Sequence, residues 1–196
     1  MMFYKKLDIN TFREVQDKIV PYVINFVNKS LREFEKKHSE KTTFSFVSDE
    51  DLKRFKEDIP ELFDCIRREL DSEVLLMSFV HIDSKDCMPI HTDGNVDISR
   101  RIRLHWPILN ETSAETIYYK KNKNKITSEN RSYTSGISGN IFNPKDVDEV
   151  DRYILDVPTL NNVKEIHGIE VLNDNLPRIL LTMRLSNEEE VYQRYF

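Results

Sequence analysis

The chain predicts a mainly β fold, a β-sandwich or jelly roll (double-stranded β-helix) buttressed on one side by helices. Three observations carry that expectation. Helical periodicity is confined to the first third, short strand-like segments follow one another from Glu73 onward, and two of those segments place arginines on one face and aliphatic residues on the other. At 196 residues one domain with a single core is the simplest division. Residues 1–72 form its helical support, 73–186 the jelly-roll core and 187–196 a tail.

Thr11 and Glu14 are spaced as a capping box, and Phe12, Val15, Ile19, Val23, Val27, Leu31 and Phe34 recur three and four residues apart. They predict an amphipathic helix to about His38, which Pro21 should bend or interrupt. Ser48, with Asp51 three residues on, opens a second helical region through Leu52, Phe55, Ile59, Leu62, Phe63, Ile66 and Leu70, and Pro60 should restart it. From Glu73 the strand-like segments begin with EVLLMSFVHI and continue at 100–109, 115–120, 137–142, 152–157, 163–169 and 177–185. Gly94, Asn143 with Pro144, and Asn173–Asn175 mark turns. The polar run 120–131, rich in lysine and asparagine, reads as a solvated loop or as a lid that grips substrate. The acidic tail NEEEVYQRYF covers an edge or lies in solvent.

Net charge is -5, with 29 basic and 34 acidic residues interspersed, so there is no basic footprint for nucleic acid. The start MMFYKKLDIN brings charge at Lys5 and Lys6 with no apolar run behind it. Neither a signal peptide nor a membrane span is expected, which points to the cytoplasm. The cysteines Cys65 and Cys87 are isolated and suit a reducing compartment; Cys87 reads as a small buried apolar residue.

Chemistry concentrates in two stretches, PIHTDGNVDISRRIRLHWPILN (89–110) and EIHGIEVLNDNLPRILLTMRL (165–185). The first offers His91 and Asp93, the second His167, and two imidazoles with one carboxylate can hold one face of a six-coordinate iron(II). A lone His-x-Asp is weak, since roughly 0.4 such pairs are expected by chance. His81 and Asp83 form a rival pair, but only His91 and Asp93 precede a basic alternating strand. Within that strand Arg101, Arg103, His105 and Pro107 share one face, and Ile102, Leu104, Trp106 and Ile108 share the other, core face. The last strand repeats the pattern, with Arg178, Leu180, Thr182 and Arg184 opposite Ile179, Leu181, Met183 and Leu185. Arginines on an inner face suit an anionic guest, because a guanidinium fork matches a carboxylate in two parallel hydrogen bonds. Each arginine taken alone is equally compatible with an ion pair to an acid such as Asp174 or Glu170. One of Tyr118 and Tyr119 faces the pocket, and Thr182, sharing the face of Arg178, is expected to touch the same carboxylate of the guest.

These motifs resemble the 2-oxoglutarate and iron(II)-dependent oxygenases, and in order and spacing they are most similar to the aspartyl/asparaginyl β-hydroxylase-like branch. The similarity runs from about Val74 to Leu185. The resemblance implies that His91, Asp93 and His167 hold Fe(II), that Arg178 grips the far carboxylate of 2-oxoglutarate, and that Arg103 and His105 contact the carboxylate beside the keto group. It implies hydroxylation of an amino-acid-like residue or a small polar molecule, free or peptidyl, with O2 consumed and succinate and CO2 released. Some members of that branch carry glycine where this chain has Asp93, so no particular peptidyl substrate follows, and the retained carboxylate disfavours halogenation. Two other readings stand beside it: a cupin-type metal enzyme without 2-oxoglutarate, and a non-catalytic protein that binds a dicarboxylate or metal. No motif fixes the oligomeric state.

Overall fold

A computed structural model describes residues 2–38, 44–82, 89–93, 101–122, 128–132, 138–173, 176 and 178–196. The elements of the first third are β1 (Tyr4–Lys6), α1 (Phe12–His38), β2 (Phe44–Phe46), α2 (Asp49–Asp58) and α3 (Pro60–Leu70). Then come β3 (Val74–Ile82), β4 (His91–Asp93), β5 (Ile102–Leu109), β6 (Ala114–Lys121), β7 (Ser128–Ser132) and β8 (Ser138–Phe142). The chain closes with β9 (Val147–Ile154), β10 (Thr159–Asn162), β11 (Ile166–Val171), β12 (Arg178–Leu185) and α4 (Glu188–Tyr195).

The strands form two six-stranded antiparallel sheets, β1-β10-β5-β12-β3-β2 and β7-β8-β4-β11-β6-β9. Within them, eight strands make a jelly roll. The order β3-β12-β5-β10 sits in one sheet and β4-β11-β6-β9 in the other, so first pairs with last, third with sixth, second with seventh, and fourth with fifth. The β7–β8 hairpin extends the second sheet beyond β4.

The first sheet is buried on both faces. Its outer face carries Met77, Phe79, Ile102, Leu104, Trp106, Ile108, Ile179, Leu181 and Met183 into one core with Ile19, Val23 and Val27 of α1 and Leu62 and Ile66 of α3. Its inner face meets the second sheet through Val80, Ile82 and Leu180, which pack with Tyr118, Tyr153, Leu155 and Val171. Alternation along β5 and β12 is therefore what separates structural from chemical side chains.

Several expectations are corrected. Helix α1 runs through Pro21 without a break; Ile19 and Val23 beside it are fully buried, and that packing outweighs the roughly 3 kcal/mol penalty of an interior proline. Thr11 Oγ1 accepts a hydrogen bond from Arg68 at 2.8 Å, tying α1 to α3. Ser48 does cap α2, accepting from the Asp51 backbone N–H at 3.1 Å, and Pro60 does restart the helix. The N-terminal third is not only helical, since β1 and β2 add edge strands to the first sheet. Part of the run expected as a loop is strand β7, while residues 123–127 of it lie outside the described residues, as do Asp83, Cys87 and the Gly94 turn. The strand expected at 152–157 sits earlier, at Val147–Ile154, and β10 was not anticipated. The tail is a helix, α4, whose Val191 enters the main core. No described helix is long and apolar enough to cross a membrane.

One buried polar clamp ties the helical layer to the chemical strand. Trp106 Nε1 donates to Gln16 Oε1 at 2.9 Å, and Gln16 Nε2 donates to the Pro107 carbonyl at 2.8 Å. Both indole and amide are thereby satisfied in a dry interior, as burial demands.

Candidate metal centre and anion pocket

Register brings the first two ligands together. His91 on β4 pairs directly with His167 on β11, and directly opposed side chains of an antiparallel pair share a face within reach of one another. Their ring centroids lie 4.4 Å apart. Asp93, two residues beyond His91, falls on that same face, and its Oδ1 is 3.2 Å from His91 Nε2 and 4.0 Å from His167 Nε2. One ligand atom from each of the three residues lies within 4.8 Å of the others, so that small side-chain rotations bring all three to about 2.1 Å from a single ion.

Each imidazole is oriented by the backbone two residues upstream. His91 Nδ1 lies 2.7 Å from the Pro89 carbonyl and His167 Nδ1 lies 2.9 Å from the Glu165 carbonyl. A carbonyl only accepts, so Nδ1 carries the proton in both rings and Nε2 is turned toward Asp93. This is the arrangement that fixes tautomer and direction in metal-binding histidines.

Electrostatics follow from burial and proximity. For His91 burial pushes the pKa down, but the hydrogen bond and charge of Asp93 and the Pro89 carbonyl outweigh it, so the pKa is raised. For His167 burial dominates, the like charge of His91 adds to it, and the pKa falls to about 4. Burial alone would raise the Asp93 carboxyl; the His91 hydrogen bond and the charges of His167, His91 and Arg103 outweigh it and hold the group well below the usual carboxylate range. The donor set is thus an ionised carboxylate and two imidazoles whose Nε2 atoms are turned toward it, and it fits a divalent ion such as iron(II).

The arginines face the same interior but differ. Arg178 is 1% exposed, and none of its three guanidinium nitrogens has a hydrogen-bond partner among the described residues. Burial pulls its pKa down to about 10, only partly opposed by Tyr153. Of the two acids considered from the sequence, Glu170 pairs at 3.0 Å with Arg152 instead, and Asp174 lies outside the described residues. Arg103 is engaged, its Nη1 donating to Glu188 Oε1 at 3.1 Å and to the Ile102 carbonyl at 3.0 Å. His105 lies between them, and burial, with the charges of His167, Arg178 and Arg103, lowers its pKa to about 3 against the opposing pull of Asp93. Thr182 is the direct register partner of His105. Trp106 is fully buried on the helix-facing side. The rival histidine, His81, pairs in register with Ile179, whose side chain belongs to the helix-facing core, so it points away from the cleft.

Sequence reading left the two tyrosines open; the structure separates them. Tyr118 pairs in register with His167 and its ring lies 6.0 Å from that imidazole, whereas Tyr119 packs on the outer face against Phe142 and Ile166. Tyr118 donates to Asn161 Oδ1 at 3.0 Å, and Tyr153 donates to the same oxygen. Asn161 escaped notice because TLNN is too short and polar to announce a strand, whereas Tyr153 lies in a segment expected as a strand but carried no chemical signal of its own. The alternation of Thr159 with Asn161 after Pro158 was the one available signal. Glu188 was missed because a run of three acids reads as solvated surface.

No known family profile and no curated protein matches this chain. Among solved structures it is similar to the epimerase SnoN in complex with Fe3+, alpha ketoglutarate and nogalamycin RO, at 10% identity and a TM-score of 0.44, covering 91% of this chain and 84% of that one. The non-heme alpha ketoglutarate dependent epimerase SnoN from nogalamycin biosynthesis overlaps at 10% identity and a TM-score of 0.42, covering 90% and 83%. The L-ribose isomerase of Acinetobacter sp. DL28 in complex with L-ribose overlaps at 13% identity and a TM-score of 0.34, covering 87% and 80%. Overlaps this loose transfer no property to the chain.

Proposed function

We propose that this protein is a 2-oxoglutarate- and iron(II)-dependent oxygenase that hydroxylates an amino-acid-like residue or small polar molecule. The observation that carries the reading is Arg178: a fully buried guanidinium without a partner among the described residues, sharing an interior with the His91, Asp93 and His167 cluster. An uncompensated buried cation costs several kcal/mol, and a dicarboxylate would supply the missing counter-charge. A cupin-type metal enzyme working without 2-oxoglutarate has no use for that charge.

In this assignment His91, Asp93 and His167 hold the ion on one face through Nε2, carboxylate and Nε2. Iron, when bound, supplies the redox chemistry that couples oxidation of the keto acid by O2 to oxidation of substrate. Arg178 takes the far carboxylate in a two-pronged hydrogen bond. His105, kept neutral by burial, can donate one hydrogen bond to the carboxylate beside the keto group without adding charge, with Thr182 next to it. Tyr118, Leu180 and Val80 wall the interior and exclude water, which protects a reactive centre from side reactions. Arg103, expected on that carboxylate from the sequence, donates to Glu188.

An anaerobic titration of the iron(II) protein with 2-oxoglutarate tests the assignment. A visible charge-transfer band should rise with one equivalent; no band and no binding would defeat it. Substrate-stimulated succinate formation, screened over peptides, free amino acids and nucleosides, then distinguishes an enzyme from a dicarboxylate-binding protein.

A further inference from the structure

One register row of the second sheet leads from the cluster to the edge of the sandwich. His91 pairs with His167, His167 with Tyr118, and Tyr118 with Asp151. Directly opposed side chains share a face, so the row crosses four strands along the inner face. At its far end β1 and β9 are the edge strands of their sheets. Tyr4 of β1 stacks there on two rings, with centroids 4.1 Å from Tyr153 and 6.1 Å from Tyr118, while Phe3 stacks on Tyr118 at 5.1 Å. Tyr118 lies 6.0 Å from the His167 ring and 6.5 Å from Tyr153. Tyr4 is partly exposed and lines a surface cavity with Met2, Phe3, Lys5, Lys6 and Asp151. Phenol rings therefore connect the cluster to solvent in short ring-to-ring steps, and the function proposed above uses none of their hydroxyl groups.

What distinguishes these phenols is where a proton can go. Asn161 Nδ2 donates to the Thr159 carbonyl at 3.1 Å, which fixes the amide with Oδ1 toward the rings. Tyr118 donates to that oxygen at 3.0 Å, and Tyr153 donates to it as well. An amide oxygen accepts a hydrogen bond but is too weak a base to take the proton, and both phenols are buried, where added charge is costly. Tyr4 instead shares its cavity with the Asp151 carboxylate. A phenol that gives up an electron must give up its proton too, so an electron vacancy arising beside the cluster passes Tyr118 and comes to rest on Tyr4. We propose that Tyr118 and Tyr4, with Tyr153 beside them, form an electron relay that discharges an oxidant made at the cluster from dioxygen or peroxide when no substrate is bound. In each passage one electron goes from Tyr4 by way of Tyr118 to the oxidant, and the Tyr4 proton goes to Asp151 and on to solvent. A thiol reductant at the cavity then returns one hydrogen atom to the Tyr4 oxygen. With peroxide as the source, two passages turn two thiols into one disulfide and the peroxide into two waters. The relay rests on the metal part of the reading above, a redox-active ion held by His91, Asp93 and His167, and not on 2-oxoglutarate.

Freeze-quench electron paramagnetic resonance of the iron(II)-loaded, substrate-free protein mixed with hydrogen peroxide tests the relay. The parent should give a tyrosyl radical that is lost in Tyr4→Phe and quenched by added dithiothreitol. Tyr118→Phe keeps the stacked ring and all three proposed ligands, and should bind iron(II) like the parent in equilibrium dialysis yet lose the Tyr4 radical. Asp151→Asn removes the proton acceptor at the surface and should lose it likewise, a check if the buried variant folds poorly. No radical in the iron-loaded parent, a radical untouched by Tyr4→Phe, or full yield in Tyr118→Phe overturns the relay. On the same samples, a 2-oxoglutarate charge-transfer band without the Tyr4 radical overturns the relay alone, whereas the radical without the band overturns the cosubstrate assignment alone.

Discussion

Replacing Arg178 by methionine should make the ligand-free protein more stable and functionally blind. The guanidinium is 1% exposed and unpartnered among the described residues, and its pKa falls from the ordinary 12.5 to about 10 because burial disfavours the charged form. At about 1.36 kcal/mol per unit that depression corresponds to about 3 kcal/mol held against the folded state. Methionine matches the aliphatic stem and removes the charge, at a packing cost of roughly 1 kcal/mol for its smaller tip. The net gain expected is about 1–3 kcal/mol, within the range seen when buried charges give way to apolar side chains. Urea denaturation of the metal-free parent and variant measures it, each with and without 2-oxoglutarate. At a hundredfold excess over its Kd the ligand should stabilise the parent by about 2.7 kcal/mol and leave the variant unmoved. An Arg178→Met protein that is less stable than the parent, or that gains as much from 2-oxoglutarate, refutes the assignment of an unpaired cation awaiting a dicarboxylate.

His167→Ala removes one of the three proposed ligands and should abolish iron(II) binding measured by equilibrium dialysis, while circular dichroism shows the sandwich retained; full metal occupancy in the variant would sink the cluster. Gln16→Ala leaves the Trp106 indole N–H and the Pro107 carbonyl without their protein partner and should cost about 1–3 kcal/mol in chemical denaturation; a neutral effect would mean that water serves them equally well. In the metal-free chain His105 and His167, depressed to about 3 and about 4, bind protons more readily unfolded than folded. Their contribution is complete above about pH 6.5 and is lost as the pH falls from there toward 4. His91, raised, works in the opposite direction, its contribution being complete below about 6.5 and lost as the pH rises through its folded value. Unfolding followed against pH should therefore show the cluster's contribution greatest near 6.5, and a steady gain in stability from pH 6.5 down to 4 would contradict this. Because the His91 pKa is raised, iron(II) binding should release more protons as the pH is lowered, seen as buffer-dependent heat in calorimetry.

Much of the site was readable because strands alternate with a fixed period. RIRLHWPI and RILLTMRL each announce one aliphatic and one functional face, and Leu104, Trp106, Leu181 and Met183 do enter the helix-facing core while Arg103, His105, Arg178 and Thr182 face the cleft. Pairing between distant strands is not periodic and stayed hidden. Nothing in the spacing of His91 and His167 states that they are register partners, nor which of Tyr118 and Tyr119 stands beside them. Short elements fared worst, since β4 and β10 span three and four residues and owe their existence to neighbours on both sides. Arg103 illustrates the remaining gap: its face was correct, but its partner comes from Glu188, 85 residues away, in a helix stabilised by tertiary packing of Val191.

Both imidazoles are steered by uncharged main-chain oxygens, Pro89 and Glu165, and this has an arithmetic consequence. With Asp93 as the one anionic ligand, a divalent ion at the cluster leaves one positive charge over, and Arg178 contributes another. Under the proposed function a doubly ionised keto diacid would cancel the pair and bring that chamber to neutrality. Monoanions of similar shape would leave it half discharged, and discrimination against them needs no further side chain.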